Sequence, residues 1–267
     1  TVANIISLND ISNSEVTIAS ANITITDTPT DAQRAIIDAA TTGTITVNGG
    51  GGGGGGGSDN DYTVTDSTIS AGQLISLDAQ YSGTVNATAV TTITGTAAEI
   101  NTVYSSSGIS GLGNESVTLT DAVTLANANT INAYTTAQVT LSSVSDTLAN
   151  ITAIDALTTS EVTMASANVT VTDQVTKAQA DTVNGFTTAQ VTLSSVQDTL
   201  ANITAIDALT TSEVTMASAN VTVTDQVTKA QADTINGYTT GQVTLSSVQD
   251  TLANITAIDA LTTSEVT

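Results

Sequence analysis

The chain carries a long tandem repeat, and this feature limits its possible folds more than any other. Residues 137–188 recur almost unchanged at 189–240, a step of 52 residues, and 241–267 begin a third copy. Repeats of this kind bury too little surface singly and become stable when neighbouring copies stack. We therefore predict four segments: a diverged repeat at 1–47, a glycine-rich loop at 48–61, diverged coils at 62–136, and tandem repeats at 137–267.

Each copy is predicted to hold two strand-then-helix units. In the first unit, Gln190–Leu193 alternates apolar residues with threonine, which is the period of a strand. Ser195–Asp198 is typical of a capping box, and the apolar residues that follow recur at spacings of three and four, as on one face of a helix. The predicted apolar stripe consists of Val196, Leu200, Ile203, Ile206 and Leu209.

The second unit is predicted to contain two short strands before its helix. The strands are Glu213–Met216 and Val221–Thr224, with Val221 facing the core. Asp225 is expected to cap the following helix, which ends near Gly237. The fold class that follows is an α/β repeat solenoid, with parallel β-strands stacked along one side and short helices on another. Because threonine, valine and asparagine are weak helix formers, an all-β right-handed parallel β-helix is the alternative.

Composition favours a thin core and excludes several partners. Aromatic residues make up 2% of the chain, too few to fill a thick globular core. With 25 acidic and 3 basic residues the net charge is −22, so the chain lacks the lysine and arginine that nucleic-acid binding requires. No apolar run approaches the roughly 20 residues of a membrane span, so we expect no membrane insertion.

The residues also indicate that the protein is not an enzyme. It contains neither histidine nor cysteine, which removes the commonest catalytic bases and nucleophiles. Carboxylates remain, but they recur with the repeat, whereas an active site is normally unique in a chain. The recurring sets, which we expect to be helix caps, are Asp146, Asp198 and Asp250, and Asp173 and Asp225.

Calcium is the one cofactor that the sequence suggests. Nine consecutive glycines, Gly49–Gly57, predict a flexible excursion from the fold, and a linker between two subdomains is the alternative. Asp59, Asn60 and Asp61 follow, and their oxygens are suitable ligands for Ca²⁺. The segment partly resembles the glycine-rich nonapeptide of calcium-binding β-rolls, but Asp61 stands where that motif requires an apolar residue. A solvated loop without bound metal is the alternative.

Two further patterns involve polar side chains in the repeats. Asn-x-Thr/Ser sequons make glycans candidate partners, although the recurrence of Asn168 and Asn220 before strands favours stacked amides. Thr-x-Thr pairs such as Thr170 and Thr172 resemble those of ice-binding solenoids, but we expect the array to be broken in alternate coils. The sequon asparagines are Asn22, Asn86, Asn114, Asn150, Asn168, Asn202, Asn220 and Asn254.

Several segments resemble repeats of very large secreted bacterial proteins. They are Thr94–Asn101, Gly108–Asn114, Val169–Asp173 and Ser195–Ile203. Proteins with similar repeats include hemolysin-type surface-layer proteins and the giant cell-surface proteins of cyanobacteria. The resemblance implies export, an extracellular or cell-surface location and, often, calcium dependence through β-roll modules. It assigns no catalytic residue.

The sequence thus predicts a structural extracellular repeat protein that forms part of a cell-surface layer or filament. Both ends fall inside a repeat, so we expect a segment of a longer protein that self-associates, with divalent cations relieving repulsion between its carboxylates. The alternative is the stalk of a bacterial adhesin. An ice-binding solenoid and a polysaccharide-acting β-helix enzyme are less favoured.

Overall fold

A computed structural model describes residues 20–25, 31–41, 45–47, 61–157, 161–209, 213–261 and 266–267. Within them the chain has an α/β architecture, in which helices alternate with parallel strands. The α/β part of the predicted fold class is confirmed, and the helices rule out the all-β alternative. The glycine run Gly49–Gly57 lies outside the described residues, so the predicted loop stays a prediction.

The elements are short. The strands are β1 (Ile23–Ile25), β2 (Ile45–Val47), β3 (Tyr62–Thr63), β4 (Thr68–Ser70), β5 (Val85–Asn86), β6 (Thr92–Gly95), β7 (Ile109–Ser110), β8 (Ser116–Val123), β9 (Val139–Asp146), β10 (Val162–Thr163), β11 (Asn168–Val175), β12 (Val191–Asp198), β13 (Val214–Thr215), β14 (Asn220–Val227) and β15 (Val243–Val248). The helices are α1 (Asp31–Ala40), α2 (Ala71–Gln80), α3 (Ala97–Ser105), α4 (Leu125–Asn132), α5 (Leu148–Asp155), α6 (Lys177–Asn184), α7 (Leu200–Asp207), α8 (Lys229–Asn236) and α9 (Leu252–Asp259).

Within the described residues, the strands form three sheets. The largest has ten strands in the order β15-β14-β12-β11-β9-β8-β6-β4, with β10 beside β9 and β13 beside β12. The others are β3-β5-β7 and β1-β2. Strand neighbours that follow each other in the chain are linked through a helix, as parallel pairing requires.

The chain divides into two compact units. Unit 1 comprises Thr1–Thr118 and Ala133–Gln138, and unit 2 comprises Leu119–Asn132 and Val139–Thr267. Unit 2 therefore contains nearly all of the 52-residue copies. Its core is built from the apolar residues that alternate along each strand. In β11, Val169 and Val171 are buried while Thr172 is exposed, which is the period of two expected of a strand with one apolar side.

Strand β12 is longer than predicted, and the helix after it begins later. The predicted capping box at Ser195–Asp198 is wrong, because these residues continue the strand and Thr199 is the N-cap of α7. Val196 is buried and pairs with Val175 on one side and Val221 on the other. Two backbone ladders and the burial of a valine outweigh the local preference of serine for a helix cap.

The second strand–helix unit of each copy also has a helix that begins later than predicted. Asp225 lies in β14 and does not cap α8 at its N-terminus, where Thr228 takes that position. The short strand β13, the burial of Val221 and the helix end at Gly237 agree with the prediction. The order of elements was therefore predicted correctly, and the helix starts were placed too early.

Candidate functional site

Aspartates at the ends of strands in unit 2 accept hydrogen bonds from a helix of the preceding strand–helix pair. The N–H of Leu200, the first residue of α7, donates to Asp225 Oδ1 in β14 at 2.8 Å. The first residue of four other helices in the unit makes the same contact. The other pairs are Leu125 with Asp146, Leu148 with Asp173, Lys177 with Asp198, and Lys229 with Asp250, at distances of 2.8 to 2.9 Å.

These contacts correct the predicted role of the aspartates. They were expected to cap the helix of their own unit, and the structure shows that each caps a neighbouring helix. A carboxylate beside the free N–H groups of a helix start is favourable, because it accepts a hydrogen bond and opposes the positive end of the helix dipole. Each bond also connects one strand–helix pair to the next pair within unit 2.

Asp198 additionally holds its own helix. Its Oδ1 accepts the N–H of Thr199 at 2.7 Å and the side-chain amide of Asn202 at 2.8 Å. Partial burial acts to raise the pKa of Asp198, but the donors from Lys177, Asn202 and Thr199 outweigh it and hold the pKa below its ordinary value. Equivalent donors surround two other aspartates, Asp146 and Asp250.

Buried threonines make a second repeated contact between successive strand–helix pairs. The Thr187 hydroxyl donates to the carbonyl of Ala167 at 2.7 Å and accepts the N–H of Ala189 at 3.0 Å. Thr187 is only 7% exposed, so its bonds are shielded from water. The same bond to a carbonyl twenty residues earlier is made by Thr41 to Ala21, Thr135 to Glu115 and Thr239 to Ala219.

At one of these positions, in unit 1, the residue is a buried glutamate instead of alanine. Glu115 stands where the copies have alanine, and it is fully buried. Its two carboxylate oxygens accept the N–H of Gly113 at 2.8 and 2.9 Å, and Oε2 accepts the N–H of Asn114 at 3.1 Å. The Tyr104 hydroxyl donates to the same group. A φ of 131° at Gly113 turns the backbone towards the carboxylate, a conformation that favours glycine.

The surroundings of Glu115 indicate a structural role. Burial and the adjacent Glu115 carboxylate raise the pKa of Tyr104, which keeps its hydroxyl protonated as a donor. The Tyr104 ring stacks on Tyr134 with the centroids 4.9 Å apart, and the Tyr134 hydroxyl donates to Asn101. Sequence reasoning missed this cluster. The signal was the glycine pair Gly111 and Gly113 just before an acidic residue at a repeat position that is otherwise alanine.

The predicted calcium ligands are only partly described. Asp59 and Asn60 lie outside the described residues, so their proposed role stays a prediction. Asp61 is exposed, and its Oδ1 accepts the N–H of Thr84 at 2.6 Å. In the part of the chain that the structure describes, no three acidic side chains come together as a metal cluster.

The sequon asparagines differ in how their side chains are used. The amides of Asn150, Asn202 and Asn254 donate to the aspartate at the end of the preceding strand, at 2.7 to 2.8 Å. The predicted stacking of Asn168 on Asn220 does not occur. Their strands β11 and β14 are separated by β12, whose Ser195 pairs with Asn220.

Threonines form continuous rows on the side of the large sheet opposite the buried valines. Parallel pairing places Ser145, Thr170, Thr192 and Thr215 side by side. A second row contains Gln197, Thr222, Thr244 and Thr267, and a shorter one Thr140 and Thr163. The Thr-x-Thr pairs themselves do not line up, as expected, because Thr170 pairs with Thr192 while a register shift after Val171 leaves Thr172 outside the ladder. Single threonines are nevertheless aligned across β11, β12 and β13. We call these three rows the threonine face.

None of the described helices has both the length and the apolar character needed to cross a bilayer. Comparison with known proteins adds no relative: no family model, no curated protein and no solved structure matches the chain.

Proposed function

We propose that this chain is a structural segment of an extracellular repeat protein, a solenoid whose copies stack to form part of a cell-surface layer or filament. The observation that carries the proposal is the use of the recurring polar groups. In unit 2 the repeated aspartates and buried threonines bond the neighbouring strand–helix pair, as in Asp225 with Leu200 and Thr187 with Ala167. The bonds of Lys177 to Asp198 and of Lys229 to Asp250 also cross from one 52-residue copy to the next, as a chain that extends by repetition requires.

The solenoid part of this proposal can be tested by removing one whole copy. In a solenoid each copy contacts only its neighbours, so deletion of residues 189–240 joins Thr188 to Gly241 in a native-like register. We expect the shortened chain to fold, with helix content per residue by circular dichroism close to that of the parent. Deletion of 189–228 is the control, because it removes β12, α7, β13 and β14 and leaves α8 without the strand that precedes it. If both deletions unfold the protein equally, the copies do not stack as units.

Assembly is proposed to depend on cations. A net charge of −22 makes copies of the chain repel each other, and divalent cations relieve such repulsion. Light scattering of the intact protein should show large particles with Ca²⁺ or Mg²⁺ and a decrease in size when a chelator is added. A monodisperse monomer under both conditions would contradict assembly and favour the adhesin-stalk alternative.

The proposed surface location has its own test. Brief protease treatment of intact cells of the source organism should remove the protein while leaving cytoplasmic marker proteins untouched. Full protection until the cells are lysed would contradict an extracellular role.

A further inference from the structure

We propose that two copies of this chain associate face to face through the threonine face of unit 2. The inference rests on the proposed structural function and names the surface that self-association would use.

The first argument is the distribution of charge. The threonine face contains only threonine, serine and glutamine, in a protein of net charge −22. The aspartates of the same strands accept hydrogen bonds from the first residues of helices, as Asp173 does from Leu148 and Asp225 from Leu200. Exposed Glu161 and Glu213 precede the short strands β10 and β13. The result is an uncharged centre with an acidic rim, the pattern of a protein interface whose core is depleted of charge.

The second argument is that this side of the sheet has no layer over it among the described residues. Parallel sheets are normally covered on both sides. Here the apolar side packs against helices, with Val196, Ile203 and Ile206 buried. On the other side Thr170, Thr192 and Thr222 remain partly accessible, and Gln197 is exposed. The free side is therefore a regular array of side chains one strand spacing apart.

The third argument is area. Strands β9, β11, β12, β14 and β15 hold six to eight residues each. With about 4.8 Å between strands and about 3.3 Å per residue, the side of these strands that carries the threonine face covers roughly 600 Å², of which the three rows occupy about half. Two such sides in contact bury about 1,200 Å², at the lower end of the range for specific interfaces. The threonine face together with the outward residues around it is therefore large enough for a weak, specific dimer.

A second copy is the occupant that these observations favour. Among the described residues of unit 2, the helices carry exposed carboxylates, which would repel a like-charged copy; they include Asp181, Asp207, Asp233 and Asp259. Face-to-face contact keeps the acidic groups at the rim, where salt screens them over about 8 to 10 Å. Threonine suits such packing, because its branched side chain is stiff and presents a methyl group beside its hydroxyl. Association is accordingly expected to strengthen as salt or divalent cations are added.

The test is sedimentation equilibrium of the full chain and three double variants. Thr192→Glu with Thr222→Glu places two negative charges in the centre of the face, and Thr192→Lys with Thr222→Lys places two positive charges there. Both pairs should raise the dissociation constant about tenfold or more, because an unpaired charge is then buried at the contact. The control is Thr182→Glu with Thr204→Glu, since both threonines are exposed on helices. It should leave the dissociation constant within about twofold.

The lysine pair separates a contact from simple charge effects. If association is limited only by overall repulsion, the lysine pair strengthens it, and the proposed face is wrong. Thermal unfolding of each variant shows whether the fold is kept, and a variant that has lost it is replaced by Thr170→Glu with Thr244→Glu on the same rows. If the variants on the threonine face leave the dissociation constant unchanged, the proposed face is wrong, although self-association itself is supported. A wild-type chain that stays monomeric with salt and Ca²⁺ overturns both proposals.

Discussion

Helices α7 and α9 have the same sequence, Leu-Ala-Asn-Ile-Thr-Ala-Ile-Asp, and differ sharply in burial. In α7, Ile203 is fully buried, whereas its counterpart Ile255 in α9 is 42% exposed and Leu252 is 82% exposed. Helix α7 packs against β14 and α8 of the following strand–helix pair. Beside α9 lies an open groove of about 360 Å³ lined by Val248, Ile255 and Ile258. Burial of a strand–helix pair is thus completed by the pair that follows it.

The largest expected effect comes from truncating the same isoleucine in both helices. Ile203→Ala should lower the free energy of unfolding by about 2 to 4 kcal/mol, since it leaves a cavity in a closed core. Ile255→Ala should cost less than about 1 kcal/mol, because much of this side chain already contacts water. Urea unfolding followed by circular dichroism measures both, with hydrogen exchange of α7 and α9 to detect local unfolding. Equal losses would contradict the difference in burial.

A smaller effect is expected from the caps between units. Asp225→Ala removes the acceptor of the Leu200 N–H and should cost about 1 kcal/mol, as for loss of a helix cap. It makes the start of α7 resemble that of α9, whose Leu252 N–H meets no carboxylate among the described residues. Faster hydrogen exchange of the Leu200 amide is the direct measurement. Asp233→Ala, which removes only a surface partner of Lys229, is the control and should leave that amide unchanged.

Acid should weaken the same contacts. The pKa values of Asp146, Asp198 and Asp250 lie below their ordinary value, so their carboxylates are stabilised by folding. Their contribution is present above the ordinary pKa of 3.8 and is lost as the pH falls through the lower folded value. Unfolding midpoints measured from pH 6 to pH 2 should fall most steeply below about pH 4, and Asp198→Asn should flatten that slope.

Asp155 and Asp207 should act in the opposite direction. Both side chains are exposed, but partial desolvation raises the pKa of each, so their ionisation opposes folding and protonation relieves it. Asp207→Asn is therefore expected to raise the unfolding midpoint slightly at neutral pH, with no change below the pKa. A decrease at neutral pH would mean that the Asp207 carboxylate has a stabilising partner.

The smallest effect, and the one that should not depend on the neighbour, concerns ion pairs within one helix. Lys177 pairs with Asp181 and Lys229 with Asp233, both at 2.6 Å and four residues apart. Lys177→Ala and Lys229→Ala should each cost about 0.3 to 0.5 kcal/mol, and the two losses should agree. High salt should abolish both losses. A clear difference between them would show that even these surface pairs depend on their surroundings.

Local pattern was enough to predict the order of elements in the copies. Alternation at Val191–Leu193 indicated a strand, and the spacing of Ile203 and Ile206 indicated a helix face, and both are confirmed. The position of the helix starts could not be predicted in this way. Ser195 and Asp225 have the chemistry of caps, but pairing with strands on both sides keeps them in the sheet.

Contacts between successive strand–helix pairs could not be predicted from local pattern either, because the partners are far apart in the sequence. The partner of Asp225 is Leu200, 25 residues away, and that of Thr187 is Ala167, 20 residues away. Glu115 gave a signal only through its glycine neighbours, because its donor Tyr104 lies on another element.

The order of residues along the chain is sufficient to predict the repeat, the alternation of strand and helix, and the excess of acidic over basic residues. These follow from the chemistry and spacing of residues close together in the chain, where periodicity is directly visible. Contacts between distant residues set which helix each aspartate caps, which isoleucines are buried and which threonines form a row. These depend on the register between strands about 22 to 25 residues apart, as for Thr170 with Thr192 and Val196 with Val221. Register is set by burying one side of the sheet against the helices, and that constraint exists only once the strands have paired.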